Sequence, residues 1–407
     1  MPLTKPQRTI FDSQNRFRLA VCGRRFGKTH LSKWEIARAA RFPNRRILYL
    51  APNYRQAKSI IWQDLKDELG ARRWIKKINE SELSIRLVNN TLIELRSAES
   101  ADSIRGISCD FVVLDECAYM PPEVFSQVIR PTLSDTGGGA LFITTPISQS
   151  NWIYDLYMQC DHLEDWASFQ YTTLDGGQVP ELEIEAAKRD LDLKTFQAEY
   201  LADFTSGSRL VFYAFDKANN IKPFTDRPNQ IWIGADFNIE PMSAVIGTPT
   251  KAGFHIFDEI IIPNSNTHEL AEEIVRRYGG HRITVFPDPA GSARKTASRG
   301  RSDHDILREY GLEVKSKRAH PKVKDRNAVV NSMLLNAQGE SRLFFDPKCK
   351  TTIDSVSRHS YKSNTMIPDK DSGTDHATDC LAYVVDYNYA IRDTRDTFNK
   401  PKVFGAF

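Results

Sequence analysis

Two groups of residues in this sequence have the types and spacing that chemistry needs. The first centres on Cys22-Gly23-Arg24-Arg25-Phe26-Gly27-Lys28-Thr29, between a strand-like run and a helical pattern. In that setting backbone N–H groups wrap phosphates, a lysine reaches the terminal ones, and a hydroxyl holds magnesium. Lys28 and Thr29 suit the last two roles, and Gly23, Arg24, Arg25 and Gly27 supply the turn. Cys22 stands where the usual first glycine would be, so the motif alone also admits a chance match in a basic loop. Phe111-Val112-Val113-Leu114-Asp115-Glu116 is an apolar strand ending in two carboxylates. Asp115 can hold the magnesium through water and Glu116 can polarise an attacking water. The plain alternative is a pair of acids that caps the next helix.

Three smaller pieces fit a nucleotide site. Gln7 precedes the first strand, where an amide can read an adenine edge. Ile143-Thr144-Thr145-Pro146 ends a strand with hydroxyls suited to sensing a γ-phosphate, Thr145 in particular. Arg105, in Ile104-Arg105-Gly106, and Arg24 are both candidate arginine fingers, which stabilise charge during phosphoryl transfer.

The second group is acidic. Asp236 and Asp288 each end an apolar strand, and Asp375 and Asp379 stand four residues apart, on one face if the segment is helical. Three or four such acids make an oxygen-rich site for Mg²⁺ or Mn²⁺. Two ions about 3.5–4 Å apart clamp the attacking and leaving oxygens of a phosphodiester. Glu259 is either a fourth ligand or an outward-facing strand carboxylate, and His376 either assists or packs.

These residues need elements to hold them. The first half alternates strand-like runs (Phe17–Cys22, Arg46–Ala51, Ser84–Val88, Thr91–Arg96, Phe111–Leu114, Ala140–Thr144) with helical patterns at Lys28–Ala40, Asn53–Leu69, Pro122–Arg130 and Val179–Tyr200. That alternation predicts a mostly parallel sheet covered by helices. The pattern fades around residues 205–228, so the expected division is a motor domain over 1–205, a linker over 206–228, a second domain over 229–390 and a polar tail over 391–407. Within the second domain, Ile231–Phe237, Ser243–Thr248 and Gly253–Ile261 predict an antiparallel meander, followed by a helix (His268–Tyr278), a strand (Arg282–Pro287) and a helix over Asp375–Tyr389.

Composition narrows the class. The 407 residues are 41% hydrophobic, with no apolar run of the roughly 20 residues a membrane span takes. The six cysteines show neither CxxC pairing nor zinc spacing, and the N-terminus lacks a signal peptide, so a soluble intracellular protein is expected. The net charge is only +3, but basic residues gather in one stretch. Arg294, Lys295, Arg299, Arg301, Arg308, Lys315, Lys317, Arg318, Lys322, Lys324 and Arg326 face only five acids. The stretch is either a polyanion-binding surface or a solvated face.

In order along the chain, these motifs resemble the large subunit of tailed-phage terminases. The resemblance runs through Gln7, Gly23–Thr29, Tyr49-Leu50-Ala51-Pro52 with Gln56-Ala57, Ile104-Arg105-Gly106 and Val112–Glu116. It continues through Ile143–Pro146, Phe196–Phe204, Asp236, Phe286–Gly291 and Asp375–Tyr383. It implies a P-loop ATPase domain followed by an RNase H-like nuclease domain, with Asp236, Asp288 and Asp379 as nuclease ligands. Arg105 matches the family's proposed trans-acting finger and Arg24 its proposed cis-acting one. It also implies ATP-driven translocation of double-stranded DNA into a procapsid, cutting of concatemers at the start and end of packaging, a ring on the portal protein, and a small terminase subunit as partner. The expected place is the infected bacterial cytoplasm, transiently on the procapsid and not in the mature virion. Three rivals are a repair helicase or translocase, a transposase or resolvase-like nuclease, and a DNA-binding protein with a structural cation site. The first leaves the second acidic group unexplained, and the second leaves Lys28 and Glu116 without a role.

Overall fold

Strand β1 (Phe17–Cys22) is buried at every position, as a strand in the middle of a helix-covered parallel sheet must be. In the computed structural model, which describes residues 2–160, 162–205, 209–293, 300–317, 321–362, 367–370 and 373–390, β1 joins an eight-stranded sheet. Its partners are β2 (Arg46–Ala51), β3 (Ile75–Asn79), β4 (Ser84–Leu87), β5 (Leu92–Ser97), β6 (Phe111–Asp115), β7 (Gly139–Thr144) and β8 (Trp166–Tyr171), in the order β3-β4-β5-β2-β6-β7-β1-β8. The pairs from β5 to β8 are all parallel, and only β3 and β4 run against their neighbours. Alternate residues of β1 serve two cores: Ala20 and Cys22 point into one, and Phe17, Leu19 and Val21 into the other. β3, β8 and the helices Lys5–Asp12 and Trp152–Cys160 were not expected from the sequence pattern.

A second sheet takes the order β13-β12-β9-β10-β11-β14. Here β9 is Gln230–Asp236, β10 Met242–Thr250, β11 Gly253–Ile262, β12 Arg282–Pro287, β13 Glu313–Val314 and β14 Leu343–Phe345. The expected meander is present, since β9, β10 and β11 pair antiparallel, while β12 runs parallel to β9. The helix Asp375–Tyr389 forms as the pattern predicted, and it packs on this sheet through Cys380, Leu381, Val384 and Val385.

By contacts the chain divides into two compact units, Met1–Ala186 with Lys194–Gly207, and Ala187–Leu193 with Ser208–Phe407. The segment expected as a linker is therefore structural from 209 onward. Val211, Phe212 and Ala214 are buried in the core of the second unit, and burial of that apolar area is why the stretch is not free. The single helix expected over 179–200 is two, Glu181–Asp190 and Leu193–Glu199. The break falls at Asp192, a buried residue that bridges to Asn336 and accepts a bond from the Tyr213 hydroxyl. The tail, 391–407, lies outside the described residues. All six cysteines are buried and unbridged. Among the described residues no helix is long and apolar enough to cross a membrane.

Candidate functional site

The order β6-β7-β1 sets three strand ends side by side, with β7 between the other two. In register, Val21 stands beside Thr144 and Ile143 beside Asp115, so the three motifs that follow these strands converge. Lys28 opens the helix Lys28–Ala39, and its Nζ lies 2.7 Å from Thr145 Oγ1 and 3.7 Å from Glu116 Oε1. The same ammonium approaches the Cys22 and Gly23 carbonyls at 3.3 and 3.4 Å. Glu116 has a left-handed backbone (φ 52°), and its Oε2 accepts from the Thr144 hydroxyl and the Thr145 N–H, both at 3.4 Å. Asp115 is buried and holds the Tyr49 hydroxyl on one oxygen and the Glu116 N–H, at 3.0 Å, on the other. Burial, and then the neighbouring Glu116, push its carboxyl up to about 6.

The loop itself is braced from three sides. Gly27 has φ +95°, a conformation that suits glycine. Gly23 is needed for space, because a Cβ there would stand 2.6 Å from the Thr173 nitrogen and 2.9 Å from the Tyr200 carbonyl oxygen. Thr173 donates its hydroxyl to the Arg24 carbonyl at 2.7 Å, and the Arg24 N–H donates to the Glu199 carbonyl at 2.5 Å. Phe26 stacks on Tyr171 at 5.6 Å. Gln7 is fully buried, with its amide nitrogen on the Phe26 carbonyl (3.0 Å) and its amide oxygen on the Thr4 N–H (3.0 Å). It braces the loop in this structure, where the sequence suggested contact with a base. Thr29 is half-buried in the first turn of the helix. Both candidate fingers are exposed: Arg24 lies 3.9 Å from Glu199, and Arg105 pairs with Asp102 at 2.7 Å.

In the second unit, β9 and β12 run parallel with Ala235 beside Pro287, which sets Asp236 and Asp288 at neighbouring strand ends. Asp288 donates its N–H to the Ala235 carbonyl (2.9 Å), while its Oδ1 accepts from the Ala290 N–H (2.9 Å). The helix Asp375–Tyr389 crosses β9 at Gly234, where any Cβ would overlap the Cys380 carbonyl. That close crossing delivers the helix's first turn to Asp236. His376 Nδ1 is 3.1 Å from Asp236 Oδ2, and His376 Nε2 is 3.8 Å from Asp375 Oδ1. The bond to Asp236 raises the His376 pKa above the ordinary imidazole range, and burial raises that of the Asp379 carboxyl.

The arrangement stops short of a metal cage. Asp379 meets Arg326 on one oxygen and Lys370, at 3.8 Å, on the other. Among the described residues Asp375 Oδ1 is buried with no hydrogen-bond partner, a donor suited to a hard cation. Yet among the described residues no three His, Cys, Asp or Glu side chains are grouped to hold a metal ion. Glu259 is not a fourth ligand: its carboxylate accepts from Thr351 N (2.9 Å), Thr352 N (2.8 Å) and Thr352 Oγ1 (2.8 Å), so it caps the helix Lys350–Arg358.

Residues 19–218 match the family model described as terminase large subunit, T4likevirus-type, N-terminal. The terminase large subunit of Escherichia phage T5 is 27% identical across 91% of this chain and 86% of its own length. That of Thermus phage G20c is 28% identical across 57% of this chain and 56% of its own. A solved large terminase from a thermophilic bacteriophage shares the fold, with a TM-score of 0.63, 18% identity, and coverage of 95% of this chain and 99% of that one. The chain is thus similar to phage large terminases over most of its length, and residues 19–218 carry the match to their N-terminal family model.

The bracing segment Thr173–Gln178 escaped the sequence reading, as did the contact of Tyr49 with Asp115 and that of Arg326 with Asp379. A signal existed for the first: Asp175-Gly176-Gly177 after a strand marks a special turn. A Cβ on Gly176 would stand 2.7 Å from Phe26 Cα, and the Gln178 amide lies against Gly27. Of the basic stretch, Arg294, Lys295, Arg299 and Arg318 lie outside the described residues. Arg301, Arg308, Lys315 and Lys317 carry acidic partners at 2.6–3.1 Å, while Lys322 and Lys324 are exposed. Arg326 does not belong to a solvated or DNA-facing surface; it is 4% exposed, turned inward to Asp379.

Proposed function

We propose that this chain is a phage large terminase that drives double-stranded viral DNA into a procapsid by hydrolysing ATP in its first unit, and cuts DNA with its second. The observation that carries the motor half is the meeting of Lys28, Glu116 and Thr145 at three adjacent strand ends. The thermophilic-phage terminase of the same fold, solved with ADP and with ATP-γ-S, supports a nucleotide here. The phosphates would lie over the Gly23–Gly27 turn at the N-terminus of the Lys28 helix. Thr29 and Asp115 suit the accompanying magnesium, which supplies charge neutralisation at the phosphate oxygens. Lys28 then exchanges its contact with Glu116 for the terminal phosphate. Glu116, released from the ammonium, orients and deprotonates the attacking water. Thr145, beside both, reports the state of that phosphate to β7.

The cutting half rests on Asp236, Asp288, Asp375 and Asp379, which the fold brings to one end of one sheet. As arranged, the described residues do not enclose a cation. Lys322 and Lys324, which are exposed, belong with Arg301, Lys315 and Lys317 to the described part of the proposed backbone-contact surface, whose binding should weaken with salt. A ring on the portal, a small-subunit partner, a finger from Arg24 or Arg105, and residence in the infected cell follow from the same reading. Glu116→Gln should abolish ATP turnover while Mn²⁺-supported DNA cutting survives, and Asp236→Ala should do the reverse. Retained cutting in Asp236→Ala would remove the nuclease assignment.

A further inference from the structure

Gln7 has no amide group left for a base. A glutamine amide offers one carbonyl oxygen and one NH₂. Gln7 commits its oxygen to the Thr4 N–H and its nitrogen to the Phe26 carbonyl, both at 3.0 Å, and the side chain is fully buried.

A second amide stands at the same place. A Cβ on Gly27 would collide with Gln7 Nε2 and would stand 2.8 Å from Gln178 Nε2. The two glutamines thus flank one glycine of the phosphate-binding turn. Gln178 is exposed, and among the described residues its side chain makes no hydrogen bond. The backbone that carries it is nonetheless held. Thr172 donates its N–H and its hydroxyl to Asp175 Oδ2, both at 2.8 Å. Gly177, with φ +68°, donates its N–H to the Leu174 carbonyl at 2.9 Å. Gly176 lies so close to Phe26 that a Cβ would come within 2.7 Å of the Phe26 Cα. An exposed glutamine is ordinarily only solvated. This one sits on a braced turn, against the loop that would hold the phosphates, with its donor and acceptor both open.

We propose that Gln178 sets the base specificity of the nucleotide site: its carbonyl accepts from the adenine 6-amino group and its NH₂ donates to N7. The inference rests on the nucleotide reading of the first unit. A planar amide matches the donor and acceptor that adenine presents side by side at N6 and N7. A 6-oxo purine shows two acceptors on that edge, so one of the two bonds is lost whichever way the amide turns.

The test is calorimetric titration of the full-length chain with ADP, IDP and 7-deaza-ADP in the presence of Mg²⁺, diphosphates being used so that nothing turns over. IDP lacks the 6-amino group and 7-deaza-ADP lacks N7. The parent chain should bind each about tenfold more weakly than ADP, the scale on which a paired amide discriminates between bases. Gln178→Ala should lower ADP affinity about tenfold and erase both preferences. Gln7→Ala should weaken all three ligands alike and keep their ratios. A preference that survives Gln178→Ala, or one that disappears in Gln7→Ala, overturns the proposal. If Gln178→Ala weakens all three ligands equally, Gln178 is a brace and the proposal is likewise overturned. Binding of none of the three by the parent chain overturns the nucleotide reading itself, whereas equal binding of all three overturns this inference alone.

Discussion

The two candidate sites of this chain are built by opposite means. Around Lys28 the geometry is set by backbone: Gly23 and Gly27 fit where a Cβ would collide, Gln7 bonds to the loop carbonyl of Phe26, and main-chain bonds to the Glu199 and Tyr171 carbonyls fix Arg24 and Gly23. Around Asp236 the geometry is set by charge, with His376, Arg326 and Lys370 each standing against an acid. Backbone bonds of this kind are insensitive to salt and hold their shape before a ligand arrives. Paired charges trade partners when a better cation comes. On the proposed function, the first site needs only the exchange at Lys28, whereas the second would have to rearrange.

The sharpest way to break that contrast is Glu116→Gln. It should reduce ATP turnover by about 10³-fold, within the range for loss of a positioned general base, in a steady-state phosphate-release assay, with thermal stability unchanged. A large loss of stability instead would mean Glu116 holds the fold. Next comes Gly234→Ala, where the added methyl meets the Cys380 backbone. It should cost about 3 kcal/mol in denaturant unfolding of the second unit, abolishing cutting and sparing ATP turnover. Gln7→Ala should cost about 1–2 kcal/mol by stranding the Thr4 N–H and the Phe26 carbonyl, and raise KM for ATP more than it lowers kcat. Base recognition by Gln7 would instead change the preference between ATP and GTP. Smallest is Glu259→Gln, about 1 kcal/mol from a weakened helix cap, with the Mn²⁺ concentration for half-maximal cutting unmoved. A shift there would return Glu259 to the ligand set.

How much of this could be read from the sequence follows the same divide. β1, β6 and β7 were legible because buried parallel strands are mostly apolar runs, Arg18 being the exception in β1, and the polar residues follow their ends at fixed offsets. Lys28, Asp115 and Glu116 were legible for that reason. The clamp by Thr173 and Glu199 was not, because its bonds span 149 and 175 positions and end on the backbone of Arg24, which leaves little compositional trace. Asp236 and Asp379 stood out as acids next to apolar runs. Arg326 did not, because a basic residue among basic residues reads as surface, and its helix mixes Asn331 and Ser332 into its buried face. The linker at 206–228 was misread because Gly, Ser, Asn and Pro hid the short core triplet Val211, Phe212 and Ala214.

The contrast stands or falls on whether the phosphate-binding turn exists before nucleotide does. Amide hydrogen exchange on the nucleotide-free, full-length chain measures this directly. The account predicts slow exchange at Gly23 and Arg24, whose N–H groups donate to Tyr171 and Glu199, and little further slowing when ATP-γ-S is added. Exchange at unprotected rates, slowed only by nucleotide, would contradict it.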